Sequence, residues 1–255
     1  MKKALGIAAM WMLAAAASAE PPPNVLFIVD ISGSMSDALP GVKRAIRDQA
    51  ASPLLAEAAT GLVSFHGCGP STVSYVVPLA KSNGARVAAA AGNLSVQGAT
   101  DIVAPLVLAE RINVELLRDQ DECLHVVLFT DDEDSCGNGK RHLDLLRGMN
   151  RACAERSKRF RLDVVTSTVD ETIHAFLDEI AEVAGGQVVD ALGLDEISIA
   201  LRRILENARR TRVRLPVAAS AARPQEPARS LPQPEPARPA SPAPLPARPR
   251  EEDKQ

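Results

Sequence analysis

A continuous apolar run between Asn24 and Asp30 constrains the fold of this chain more than any other feature. Residues 25–29 read Val-Leu-Phe-Ile-Val, without a polar side chain for either face of an extended backbone. Because successive side chains of a strand point to opposite faces, this strand must be buried on both, as in the middle of a parallel sheet. The run ends at Asp30, so the strand brings a carboxylate to one edge of that sheet.

Strand and helix patterns alternate after this first run. Short apolar runs predict five more strands, at 61–66, 72–79, 124–130, 161–167 and 187–191. Pro78 predicts that the strand at 72–79 lies at an edge of the sheet. Apolar residues at every third or fourth position predict helices within 101–118, 143–153, 173–183 and 197–208. Gly185 and Gly186 predict the end of the third of these helices.

This alternation predicts an α/β domain with a doubly wound, mostly parallel six-stranded sheet, like a Rossmann fold, with helices on both faces. Ligands of such sheets bind beyond the carboxyl ends of the strands. Asp30 and Asp131 lie at the carboxyl ends of two predicted strands, so we expect both at that edge. Aromatic residues are only 3% of the chain, so small and aliphatic side chains must fill the core.

The two ends of the chain differ in composition from this domain. Lys2 and Lys3, an apolar run over 4–17 and the sequence Ala17-Ser18-Ala19 predict a cleaved secretory signal at 1–19. The run falls short of the roughly 20 residues that span a bilayer, so we expect no transmembrane anchor. We expect the folded domain at 20–210 and, at 211–255, a disordered tail rich in Pro, Ala and Arg.

Charge is distributed unevenly along the chain. Without the predicted signal, the part before Ala208 carries 17 basic and 27 acidic residues, and the part from Ala208 onward carries 10 basic and 5 acidic residues. An acidic domain argues against nucleic acid as the ligand. The basic tail is either dispensable or a segment that contacts another envelope protein or the cell wall.

Export would place the four cysteines in an oxidising compartment, where they form disulfides. Four cysteines allow three pairings. The sequence contains no C-x-x-C pair, which is the motif typical of zinc ribbons and redox sites. Cys68 and Cys136 follow predicted strands at the edge that carries Asp30, whereas Cys123 and Cys153 lie at the opposite edge. We therefore favour Cys68 with Cys136 and Cys123 with Cys153.

The first strand runs into Asp30-Ile-Ser-Gly-Ser-Met35, which places one carboxylate and two hydroxyls on alternate residues of a short loop. Such residues can also simply cap a following helix. The motif Asp-x-Ser-x-Ser after an apolar strand resembles the metal-ion-dependent adhesion site of von Willebrand factor A-type (VWA) domains. Thr100, in Gly98-Ala-Thr-Asp-Ile102, and Asp131, after Phe129-Thr130, match two further loops of that family.

This resemblance covers about residues 24–207 and implies an exported bacterial domain that binds a divalent metal through Asp30, Ser32, Ser34, Thr100 and Asp131. Mg²⁺ prefers six oxygen ligands, and Mn²⁺ or Ca²⁺ could occupy the same oxygen cage. The family pattern also implies that an Asp or Glu carboxylate from a partner protein completes the metal shell.

One departure from the family pattern follows the second aspartate. The family's usual glycine is Asp132 here, and Glu133 and Asp134 add two more carboxylates. This acidic loop could deter an acidic partner or attract a second cation, or it could be a solvated loop without either role.

Catalytic motifs are missing from the sequence. The four histidines, His66, His125, His142 and His174, have no metalloprotease spacing, and we expect them to be structural or exposed. The sequence also has no G-x-S-x-G elbow and no Walker-type loop. It therefore favours a non-enzymatic, metal-dependent binding module in the periplasm. An envelope scaffold that acts through its Pro-rich tail is the alternative, and a metal-dependent hydrolase is the third hypothesis.

Overall fold

The computed structural model describes residues 24–119 and 123–213. Its centre is a six-stranded sheet in the order β3-β2-β1-β4-β5-β6. The strands are β1 (Asn24–Asp30), β2 (Ala59–Phe65), β3 (Val73–Lys81), β4 (Leu124–Phe129), β5 (Arg161–Thr166) and β6 (Val188–Asp190). Each predicted strand is present, with bounds that differ from the prediction by at most two residues. The predicted signal at 1–19 and nearly all of the predicted tail at 211–255 lie outside the described residues.

The central position of β1 follows from its sequence. All seven of its residues are buried, and it pairs in parallel with β2 on one side and β4 on the other. Only β3 runs antiparallel, and it lies at the edge of the sheet as Pro78 predicts. The register of β2 with β3 shifts on both sides of Leu62, so the ladder is irregular on the strand that contains this proline.

Within the described residues, six α-helices cover the sheet. They are α1 (Leu39–Ala50), α2 (Gly84–Gly92), α3 (Val103–Asp119), α4 (Arg141–Ala154), α5 (Glu171–Val183) and α6 (Leu194–Val213). Phe27 packs in a core with α1, α2 and α6, whereas Leu26 and Ile28 pack in a second core with α3, α4 and α5. The alternating side chains of β1 therefore supply both cores, which confirms the doubly wound α/β fold. Among the described residues, no helix is long and apolar enough to cross a membrane.

The amino-terminal edge of the sheet, opposite Asp30, contains one of the two predicted disulfides. The sulfur atoms of Cys123 and Cys153 lie at bonding distance, with their Cα atoms 6.1 Å apart. Between α3 and α4 at this edge, the buried Asn113 side chain accepts a hydrogen bond from the Leu124 backbone N–H at 2.9 Å. This predicted cysteine pair is confirmed, and it ties α4 to the start of β4.

A buried charged cluster joins β4, β5 and β6 near the same edge. The Asp163 carboxylate is fully buried and accepts hydrogen bonds from His125 Nε2 at 2.7 Å, from Arg161 Nε at 2.6 Å and from the Gln187 backbone N–H at 3.0 Å. Burial alone would raise the pKa of Asp163, but the hydrogen bonds from His125 and Arg161 outweigh it and hold the pKa below its ordinary value. His125 is therefore a structural residue that hydrogen-bonds the buried Asp163 carboxylate.

We predict that Asp163→Asn destabilises the fold by about 3 kcal/mol, because it leaves buried donors facing an amide group instead of a carboxylate. The pKa of Asp163 is lower in the folded than in the unfolded chain, so its ionised form stabilises the fold above the ordinary value of 3.8. That stabilisation is lost as the pH falls through the folded pKa. Urea denaturation between pH 3 and pH 7 measures both effects.

Asp144→Asn is the matched control, because the Asp144 side chain is 79% exposed beside Arg147. An equal loss of stability in the two variants at pH 7 would show that the buried cluster does not stabilise the fold.

Candidate metal-binding site

The five predicted metal ligands lie on loops at the carboxyl edge of the sheet. Asp30 ends β1 and the two serines follow it, while Asp131 comes two residues after the end of β4. Thr100 lies on the loop before α3. Because β1 and β4 are adjacent parallel strands, the ends of both reach the same point of this edge.

The Asp30 side chain is fully buried at the end of the central strand. One carboxylate oxygen accepts a hydrogen bond from the Ser32 backbone N–H at 2.8 Å, and the other accepts one from Thr130 Oγ1 at 2.7 Å. Burial raises the pKa of Asp30 to about 6, although these hydrogen bonds lower it. A carboxylate this poorly solvated gains from any cation placed next to it, since an opposite charge favours the ionised form.

A chain of hydrogen bonds connects four of the predicted ligands. Ser32 Oγ lies 3.0 Å from Ser34 Oγ, and Ser34 Oγ donates to Asp131 Oδ1 at 2.8 Å. Ser32 is buried next to Asp30, whereas Ser34 is exposed and Asp131 is half-buried. Burial raises the pKa of Asp131, and the bond from Ser34 opposes that rise. The cluster therefore runs from the core to solvent, which suits a site with one open position.

The Thr100 hydroxyl is the fifth predicted ligand. The loop that carries Thr100 is held to the serine loop, since the Gly33 N–H donates to the Gly98 carbonyl at 3.2 Å and the Gln97 N–H to the Ile31 carbonyl at 2.6 Å. Thr100 is 1% exposed, and its hydroxyl has no hydrogen-bond partner among the described residues. Leaving a buried hydroxyl unpaired costs about 1–3 kcal/mol. A bound metal ion would satisfy it, so these residues fit the predicted ion.

Ser135 fixes the position of the Thr100 backbone relative to the loop after β4. The Ser135 backbone N–H and its hydroxyl both donate to the Thr100 carbonyl, at 3.2 and 2.8 Å. The Thr100 N–H in turn donates to Ser135 Oγ at 3.3 Å. These contacts join the loop of Thr100 to the loop of Asp131.

Asp101 and the second disulfide reinforce this connection. Asp101 is 3% exposed and accepts hydrogen bonds from the Gly69 N–H at 2.8 Å and from Asn138 Nδ2 at 3.1 Å. One residue away from Gly69, Cys68 bonds to Cys136, with their Cα atoms 5.5 Å apart. This predicted pair is therefore confirmed. We call Asp101 and the Cys68–Cys136 disulfide the loop clamp, because together they join the loops after β2, before α3 and after β4.

Sequence reasoning did not identify three residues of this site, Thr130, Ser135 and Asp101. Each lies within four residues of a predicted ligand, so proximity to the motif was the only available signal. Asp101 also accepts the Ala104 N–H at 3.1 Å at the start of α3, where a capping aspartate is common.

The acidic loop after Asp131 is built from its own hydrogen bonds. The Asp134 carboxylate accepts from the backbone N–H and from the side chain of Asn138, at 3.0 and 3.2 Å. Asp132 accepts from the Glu133 N–H at 2.8 Å. Within 24–119 and 123–213, no three His, Cys, Asp or Glu side chains form a group suited to a metal ion. The acidic loop is therefore ordered by its own hydrogen bonds.

The other three histidines lie in different environments. His142 is buried against Phe176, with ring centroids 5.0 Å apart, and burial lowers its pKa. His174 lies between Asp190 and Asp178, and its hydrogen bond to Asp190 is the main cause of its raised pKa. His66 is half-buried in the loop after β2, next to Gly98.

Residues 25–133 match the family model of the von Willebrand factor type A domain. No curated protein matches the chain at a significant level. Among solved structures, the chain is similar to a von Willebrand factor type A protein from Catenulispora acidiphila, with a TM-score of 0.58 and 18% identity over 74% of this chain and 43% of that one.

The chain is also similar to an aerotolerance-related membrane protein from Bacteroides fragilis, with a TM-score of 0.54 and 16% identity over 72% of this chain and 99% of that one. For the open conformation of the pilus adhesin SpaC from Lactobacillus rhamnosus GG, the TM-score is 0.57, with 14% identity over 75% of this chain and 30% of the adhesin. At these identities the likeness shows the fold alone, and this chain spans less than half of the Catenulispora protein and of the adhesin. The matched segment, residues 25–133, therefore resembles the von Willebrand factor type A domain family, and the solved structures share the doubly wound fold of this chain.

Proposed function

We propose that this chain is a non-enzymatic protein-binding module of the bacterial cell envelope whose binding depends on a divalent metal ion. Asp30, Ser32, Ser34, Thr100 and Asp131 would hold the ion. The observation that carries the proposal is the hydrogen-bonded series from Asp30 through the two serines to Asp131, with the unpaired, buried Thr100 hydroxyl on the adjoining loop.

The chemistry of these donors fits a small, hard cation. Three neutral hydroxyls and two carboxylates are the oxygen ligands that Mg²⁺ prefers, and Mn²⁺ or Ca²⁺ would accept the same set. Both oxygens of Asp30 already accept a hydrogen bond from the protein, which leaves less of its charge for the ion. With few anionic ligands, the bound ion would attract a further carboxylate from a partner's Asp or Glu.

Charge explains why binding would require the metal. Asp131 is followed by the acidic residues Asp132 and Glu133, and the domain as a whole is acidic. In the absence of a cation these groups would repel a partner's carboxylate. The ion would reverse the local charge, so a partner with an exposed Asp or Glu would bind only when the site is occupied.

The periplasm is the proposed location. The predicted signal at 1–19 supports export, and both cysteine pairs lie at bonding distance, which suits an oxidising compartment. The similarity to a pilus adhesin supports a binding role for this fold. The tail-dependent scaffold of the sequence analysis would differ from this proposal in binding its partner equally well without metal.

Thr100→Val tests the site, because the variant should be at least as stable as the unmodified chain without metal but should bind Mg²⁺ more weakly. Without metal it removes an unpaired buried hydroxyl, so the free energy of unfolding should stay the same or rise by up to about 1 kcal/mol. With Mg²⁺ it lacks one ligand, so the affinity measured by titration calorimetry should fall at least about tenfold, since changes around the ligands alone often cost that much.

Thr60→Val is the matched control, because the Thr60 hydroxyl in β2 is also buried without a partner. Thr60→Val should bind Mg²⁺ like the unmodified chain. Equal Mg²⁺ affinity in Thr100→Val, or no Mg²⁺ binding by the unmodified chain, would contradict the proposed site.

The two disulfides provide a second comparison. Cys68→Ser with Cys136→Ser should lower Mg²⁺ affinity by about tenfold, because the loops of Thr100 and Asp131 lose part of the loop clamp and must be ordered by the ion itself. Cys123→Ser with Cys153→Ser should lower the melting temperature but leave Mg²⁺ affinity unchanged, because that disulfide lies at the opposite edge of the sheet. Similar affinities in both double variants would show that the loop clamp does not position the ligands.

A further inference from the structure

An open cleft of about 410 Å³ begins at the proposed metal site. Ser34 and Asp131, two of the predicted ligands, line it. The same cleft is lined by Leu192, Leu194 and Ile197, from the connection between β6 and α6 and from the first turns of α6. A hydroxyl and carboxylate surface and an aliphatic surface therefore face the same space.

Two of the three aliphatic residues that line the cleft are open to water, whereas Ile197 is buried. Leu192 is 62% exposed and Leu194 is 41% exposed. Val169, which is 81% exposed, follows β5 at the same edge of the sheet. Exposed aliphatic side chains grouped beside a polar site are typical of surfaces that bind a partner.

Hydrogen bonds hold the leucine-bearing loop in place. The Glu196 carboxylate accepts the backbone N–H groups of Leu192 and Gly193 at 2.9 and 3.1 Å. The Ala191 N–H donates to the Thr166 carbonyl at 2.8 Å, which attaches the loop to the end of β5. These hydrogen bonds restrain the backbone at both ends of the loop, and the restrained backbone keeps Leu192 exposed. The loop therefore needs little ordering when a ligand binds.

Close packing of α1 against α6 fixes the other leucine. A Cβ atom built on Gly41 would lie 3.0 Å from Leu194 Cα and 2.8 Å from Ile197 Cδ1. No side chain larger than hydrogen fits between the two helices at this point. The glycine lets the two helices approach, and this contact holds Leu194 and Ile197 against α1.

We propose that this cleft is a specificity subsite that binds an aliphatic side chain of the partner, of the size of Leu, Ile or Val. That side chain is next in sequence to the Asp or Glu whose carboxylate reaches the metal. Adjacent Cα atoms lie about 3.8 Å apart, so a bend of the partner's backbone at the acidic residue lets the neighbouring side chain enter the same cleft. The inference rests on the proposed function and specifies the partner as a segment in which an acidic and an aliphatic residue are adjacent.

Four short peptides test the subsite: acetyl-Asp-Leu-amide and acetyl-Leu-Asp-amide, each compared with the peptide that has Gly in place of Leu. The purified full chain is ¹⁵N-labelled, saturated with Mg²⁺ and titrated with each peptide, with the Gly193 amide as the reporter. We expect one Leu peptide to bind about fivefold to tenfold more tightly than its Gly counterpart, which is modest discrimination for one apolar group in an open site.

Leu192→Ser should abolish this preference and leave both the Mg²⁺ affinity and the binding of the Gly peptides unchanged. Val114→Ser is the matched control, because Val114 is 55% exposed on α3, which packs against the other face of the sheet. This variant should keep the full preference for Leu.

The outcomes separate the subsite from the proposed function. Equal binding of the Leu and Gly peptides overturns the subsite but does not contradict metal-dependent binding of a carboxylate. Tighter binding of acetyl-Asp-Lys-amide than of acetyl-Asp-Leu-amide also overturns it, since Asp37 in the cleft wall would then define the specificity. If the chain binds Mg²⁺ but none of the peptides, both the metal-dependent binding of a carboxylate and the subsite are overturned. If the chain does not bind Mg²⁺, the proposed function is overturned together with this inference.

Discussion

The burial of a carboxylate at the end of a fully buried strand governs the arrangement of this protein. β1 supplies alternate side chains to both cores, so it must lie in the middle of the sheet, and Asp30 at its end cannot move out into water. Hydrogen bonds from Ser32 and Thr130 satisfy part of that carboxylate, yet its pKa stays raised. The proposed divalent cation would supply a counterion to this poorly solvated carboxylate.

The loops of Thr100 and Asp131 are held firmly in place, whereas the side of the site at Ser34 is open. The loop clamp and the reciprocal bonds between Thr100 and Ser135 fix the loops before α3 and after β4, which carry Thr100 and Asp131. Ser34 is exposed and adjoins the open cleft. Rigid ligands on the inner side and an open outer side suit a site that holds an ion permanently but exchanges what binds to it.

Local sequence patterns predict much of this structure, and the remainder depends on contacts between distant residues. Buried strands are continuous apolar runs, and the ligand motif follows β1 directly, so both could be recognised from a few neighbouring residues. No bounds are predicted above for α1 and α2. The apolar stripe of α1 (Leu39, Val42, Ala45 and Ile46) was available as a signal, whereas α2 consists mostly of Ala and has little amphipathic contrast.

The Asp163 cluster, the role of Asp101 and the cleft could not be predicted in that way. Asp101 meets Gly69 and Asn138 across more than 30 residues of sequence, and Asp163 meets His125 across 38 residues. Such contacts follow only from the order of strands in the sheet. The two disulfides could be predicted, because the direction of the parallel strands assigns each cysteine to the carboxyl or the amino edge of the sheet and leaves one pair at each edge.

The proposed site requires that Ser32, Ser34 and Thr100 bind one ion together. A crystal of the purified chain, grown with Mn²⁺ and measured at the manganese absorption edge, would show such an ion directly. We expect one anomalous peak about 2.1 Å from the three hydroxyl oxygens, the spacing of a small octahedral cation. A peak bound only by Asp132, Glu133 or Asp134, or an ordered Thr100 hydroxyl with no ion beside it, would rule out the site.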